Sequence, residues 1–147
     1  MDPRSLALLG ARLLIAQLFL LGSAQKWLDP AIVEGLLAGL GWPDWLIWPA
    51  LAFNLVAGVL LALGFWTRWL AILLAAYCGV TSLFHYIPSD GWQMSIFVKN
   101  WAIAGGCLAL AAAGPGRYAL EGRERSTAPG PQEVRAAIAP SGRRSPP

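Results

Sequence analysis

The chain has 147 residues, 56% of them hydrophobic and 13% charged, where a soluble domain carries about 25% charged residues. That balance excludes an ordinary soluble globular protein. The net charge of +3 does not point to nucleic acid, because the cations cluster between and beyond four long apolar blocks.

The blocks run Leu6–Ala24, Trp45–Phe65, Trp69–Tyr86 and Ile96–Ala113. A bilayer core is spanned by about 17 to 25 helical residues, so each block reads as a transmembrane helix. An alternative for the first block is a signal peptide, since Arg4 precedes it and Gly22-Ser23-Ala24 resembles a cleavage site. Arg12 interrupts the apolar run, and cleavage would leave three spans with inconsistent charge placement. Between the first two spans, Ile32, Val33, Leu36, Leu37 and Leu40 predict a short amphipathic helix on the outer surface, started by Asp29-Pro30. Pro43 and Pro49 fall near the start of the second span, where a missing N–H costs little. Only Trp66, Thr67 and Arg68 join the second and third spans, which are therefore expected to be antiparallel neighbours. Seven tryptophans and Tyr86 fall near the expected interfaces.

Small residues predict how these helices meet, since close backbone approach drives association in lipid. The stripes are Ala50, Asn54, Gly58 and Ala62; then Ala71, Ala75, Cys78, Ser82 and His85; then Lys99, Ala102, Gly106, Ala109 and Ala113. The fold class is an all-α membrane protein, an antiparallel four-helix bundle occupying residues 1–120. Residues 121–147, rich in Pro, Gly, Ser and Arg, read as a disordered cytoplasmic tail. Arg4, Arg68 and the arginines after the fourth span place both termini in the cytoplasm.

Polar residues inside spans default to functional candidates. Helix arithmetic places Gln17, Asn54, Cys78 and Cys107 near the midplane, and Lys26, His85, Lys99 and Asn100 toward the outer face. With a single histidine, a multi-histidine metal or haem site within one chain is excluded. His85 with Lys99 and Asn100 could meet the carbonyl oxygens of a quinone, or His85 could simply cap its helix. Cys78 and Cys107 could exchange two electrons as a disulfide pair, or be inert buried thiols. Arg12 either snorkels to headgroups or binds the carbonyls around Thr67, or it joins Arg68 in an anion or head-group site. Lys26 and Lys99 read chiefly as interface anchors. No Walker loop, dinucleotide fingerprint, haem-attachment CxxCH or HExxH occurs, so no self-contained catalytic centre is expected.

The order Arg12, Ser23-Ala24-Gln25-Lys26, Gly41-Trp42-Pro43, Asn54, Gly58, Gly64-Phe65-Trp66-Thr67-Arg68, His85, Lys99-Asn100 and Gly114-Pro115-Gly116-Arg117 resembles the DoxX family over Leu6 to Leu120. The resemblance implies a small prokaryotic inner-membrane protein of four helices, related to the small subunit of thiosulfate:quinone oxidoreductase. Arg12, Lys26, His85, Lys99 and Asn100 match the family pattern. Asn54 stands where members commonly carry an acid, and the glycine before the lysine is replaced by Ala24 or displaced to Gly22. Three readings follow: a membrane subunit of a quinone- or sulfur-linked redox system with an oxidoreductase partner; an assembly scaffold; and a solute or ion carrier, as a homo-oligomer, using Gln17, Asn54 and Arg12.

Overall fold

The computed structural model describes residues 2–121, and the tail expected beyond Glu121 lies outside them. Five helices follow one another: α1 (Pro3–Leu28), α2 (Ala31–Gly39), α3 (Ile47–Leu63), α4 (Thr67–Phe84) and α5 (Gly91–Ala113), with a 3₁₀ turn (Asp44–Leu46) leading into α3. Four of these segments are long and apolar enough to cross a membrane. The chain spells out their ends. Asp2 caps α1, accepting from the N–H groups of Arg4 and Ser5 at 3.2 and 3.1 Å, and Pro3 occupies the first turn. Asp90 does the same for α5, accepting from Trp92 and Gln93 at 2.9 and 3.2 Å. Gly64, at φ +74°, ends α3 in the left-handed conformation that glycine adopts at no steric cost.

The bundle is built from two tight pairs, α1 with α3 and α4 with α5. Gly58 lets α1 and α3 close up: a Cβ there would sit 2.9 Å from the Leu20 side chain and 3.3 Å from the Ala16 carbonyl. A serine bridges each pair. Ser23 Oγ donates to the Phe19 carbonyl at 2.9 Å on its own helix and reaches Leu51 of α3 at 3.4 Å, while Ser82 Oγ donates to Phe97 of α5 at 3.0 Å. The α3 and α4 stripes turn inward as their spacing predicts.

The helices α3 and α4 are antiparallel neighbours, as their three-residue link requires, although they touch far less than the two tight pairs do. One expectation needs correction. The α5 stripe faces outward: Lys99, Ala102, Gly106, Ala109 and Ala113 are all exposed. Ala104, Cys107 and Leu110 form the buried face instead. Being small and apolar nearly all round, α5 carries no pattern that singles out one side.

The buried core, including Ala57, Leu61, Ala71, Leu74, Ala104 and Cys107, fills the half of the bundle nearer the termini. At that end, residues 114–121 fold back across the helix ends. There Glu121 N–H donates to the Gly64 carbonyl at 3.3 Å. In the other half the pairs part, and α2 covers the gap. The amphipathic helix is thus present, beginning just after Asp29-Pro30, with Val33, Leu36 and Leu37 turned toward the space between the spans.

Candidate functional site

The space enclosed by the parted pairs is a cavity of about 600 Å³, within the ordinary range for small-molecule sites. Its apolar wall includes Leu18, Phe19, Leu36, Ile47, Phe84 and Ile96. Its polar wall contains Lys26, Asn54, His85, Lys99 and Asn100, and Cys78 also borders it. Residues read as one interface group and one midplane group therefore share a single chamber. Two lysines line it and no carboxylate does. A site of that composition favours ligands that accept hydrogen bonds or carry negative charge.

Each polar group is held by a local device. Lys26 bends back along its own helix, and its Nζ donates to the Gly22 carbonyl at 3.2 Å. Helical side chains lean toward the N-terminus, which at this end of α1 means into the bundle. Lys26, near the end of its span, is thus part of the cavity wall. Lys99 is exposed at the cavity's edge.

His85 follows the last residue of α4, and its Nδ1 lies 2.7 Å from Gln93 Oε1 near the start of α5. An amide oxygen only accepts, so with Gln93 Oε1 as its partner Nδ1 is the donor, and in the tautomer with that single proton Nε2 is left as an acceptor. At the deep end, Asn54 Nδ2 donates to the Tyr77 hydroxyl at 3.3 Å. Tyr77 is itself braced by Phe19 and Phe53, with ring centroids 6.3 and 5.4 Å away.

Tyr77, Gln93 and Thr81 are cavity residues that the sequence reading did not single out. Tyr77 and Thr81 on α4 and His85 at its C-cap recur at steps of four, a signal that lay beside the small-residue stripe. Thr81 spends its hydroxyl on its own helix, donating to the Tyr77 carbonyl at 2.9 Å. Gln93 carries no such periodic signal, because its role depends on how α4 and α5 meet.

Arg12 and Gln17 lie elsewhere. Arg12, 1% exposed, sits at the termini end, where Nη1 donates to the Pro115 carbonyl at 3.0 Å and Nη2 to that of Tyr118 at 2.9 Å. It binds carbonyls, as one reading held, but those of the returning segment rather than those around Thr67. Arg68, exposed, lies over Gly114, its Nη2 being 3.1 Å from where a Cβ would stand. Each guanidinium thus rests against backbone. Gln17 faces outward from α1. Gln17, Asn54 and Arg12 therefore do not line one path within a single chain.

Cys78 and Cys107 are both free thiols within the buried core. Only Cys78 borders the cavity. Among the described residues, no group of three or more His, Cys, Asp or Glu side chains could hold a metal ion.

Comparison with known proteins adds the lineage. The family model for DoxX matches residues 7–87. The chain is 30% identical over 112 residues to the inner membrane protein YqjF of Escherichia coli strain K12, covering 76% of this chain and 86% of that protein. It is 34% identical over 128 residues to the inner membrane protein YphA of the same organism, covering 82% and 91% respectively. No solved structure matches the chain.

Proposed function

The chain belongs to the DoxX family, and from that premise we propose that it is a membrane subunit or partner of a quinone-linked redox system, with the cavity receiving the quinone head. It is an integral inner-membrane protein, like the relatives it matches. The single observation that supports the redox reading is the cavity, in which an apolar body ends in lysines, an amide pair and a histidine. Lys26 and Lys99 offer N–H donors to quinone oxygens, and His85 Nε2 offers an acceptor for a proton leaving the reduced ring. Electron transfer itself needs a partner, since the chain holds no electron carrier by any recognisable motif.

The test is gentle extraction of the tagged protein from its own membranes, followed by quantitative mass spectrometry of retained proteins and quinones. Near-stoichiometric quinone, lost on His85→Ala and Lys99→Ala, supports the reading; binding unchanged in both variants defeats the site. Both termini are proposed to be cytoplasmic on the distribution of Lys and Arg, and reporter fusions that place the C-terminus outside would overturn this.

A second reading, an assembly scaffold, is favoured by the outward small-residue face of α5 around Ala102, Gly106 and Ala109. Gly106→Leu separates the two readings. It would abolish a helix–helix partnership on that face while leaving quinone retention intact.

A further inference from the structure

Among the described residues, three buried side-chain atoms lack a hydrogen-bond partner: Arg12 Nε, Thr67 Oγ1 and Asn54 Oδ1. Only Asn54 belongs to the cavity wall, and its side chain is 2% exposed. An acceptor left unmade in so dry a place is costly, and more so in lipid than in water. Its neighbours define what would satisfy it. Asn54 Nδ2 already donates to the Tyr77 hydroxyl, which keeps its own proton to give. Gly22 leaves bare backbone between Asn54 and Lys26, where an added Cβ would lie 4.0 Å from Asn54 Nδ2 and 3.7 Å from Lys26 Nζ. A ligand oxygen reaching this end thus has donors beside it in Tyr77 and Lys26, and the unpartnered acceptor Oδ1 belongs to Asn54, the residue whose amide nitrogen lies near both.

A carbonyl or ether oxygen can use the donors but gives nothing to Oδ1. A hydroxyl does both, accepting from one side and donating to the other. We infer that the deep end of the cavity is a hydroxyl-recognition site for an amphipathic phenol or alcohol. Resting on the quinone reading above, it follows that the reduced quinol is held more tightly than the quinone. The preference amounts to about tenfold in affinity, the scale of one hydrogen bond gained at a buried acceptor.

The experiment uses the full chain in lipid nanodiscs, titrated calorimetrically with para-octylphenol and with its methyl ether, para-octylanisole, against protein-free discs. These probes differ in the hydroxyl proton and are not quinones. The phenol is expected to bind about tenfold more tightly than the ether, and Asn54→Leu to bring the two within about twofold. Asn54→Ala, which removes the amide without adding bulk, repeats the test should the leucine variant fail to fold. Equal affinities in the unaltered chain, no binding of the phenol, or a preference that survives both variants would overturn the inference, and would assign Oδ1 a water partner. A short-chain quinol and quinone pair in the same discs separates the two levels. Phenol selectivity without binding of either quinone form sustains the hydroxyl site and defeats the quinone reading. Quinone binding without phenol selectivity does the reverse.

Discussion

Replacing Arg12 by Met tests what holds the returning segment to the bundle. The guanidinium makes two charge-assisted bonds, 3.0 Å to Pro115 and 2.9 Å to Tyr118, and its partners lie more than a hundred residues away in sequence. Bonds to a charged group contribute about 1.5 to 3 kcal/mol each, so about 3 to 6 kcal/mol of interaction is lost. Met restores most of the apolar volume and removes a buried charge whose Nε has no partner, which offsets about half of that loss. The net destabilisation is therefore about 1.5 to 3 kcal/mol. Arg12→Lys should lose nearly as much, because one ammonium cannot reproduce a two-pronged grip on separate carbonyls. The assay is thermal unfolding in nanodiscs together with trypsin cleavage after Arg117, which lies within the held segment. Cleavage there should become rapid while α1 to α5 remain intact. An unchanged midpoint with Arg117 still protected would show that the segment docks without Arg12.

Other consequences are equally specific. Gly58→Leu should prevent α1 and α3 from closing, at a cost of several kcal/mol, whereas Gly106→Leu should cost far less because a Cβ there meets only Ile15, at an ordinary 3.9 Å; comparing the two by size exclusion and circular dichroism decides it. Gly64→Ala combines a left-handed φ with a collision against Arg12 Nη1 and, at 2.5 Å, the Ala119 side chain. It should lower the midpoint by more than the ~1 kcal/mol of backbone strain alone, and a neutral result would contradict the packing of residues 114–121. The Ser5 hydroxyl and the N–H groups of Arg4 and Ser5 hold the Asp2 carboxyl below its ordinary range. Its cap is therefore present above that range and lost as pH falls through the lowered value. Protection of the Arg4 and Ser5 amides, measured against the intrinsic exchange rate at each pH, should be lost only on that acid side, and Asp2→Asn should flatten the profile.

Residue identity alone located the spans, because hydropathy and length are properties of a continuous segment and lipid tolerates few alternatives to a helix. The start of the short helix after Pro30 follows from local chemistry as well, whereas the caps at Asp2 and Asp90 were first seen in the structure. Lys26, His85, Lys99 and Asn100 were legible as one group because they fall at similar depth. Their meeting with Asn54 was not, since the cavity extends from the helix ends to mid-bundle only where α3 and α4 part.

Pairing decides such matters, and it is a property of whole surfaces. A serine's bond to the facing helix, or a glycine against Leu20, has no signature in its own segment. Nothing near Arg12 announces Pro115 and Tyr118, and nothing around Gln17 says that it faces away from the bundle. The amino-acid sequence by itself determined that this chain crosses a membrane in four helices, because burial of apolar length in lipid is settled segment by segment. Only the tertiary structure decided which polar residues share a chamber and which fasten the fold, because that depends on helix rotation, to which an α5 made of small apolar residues on nearly every face gives no guide.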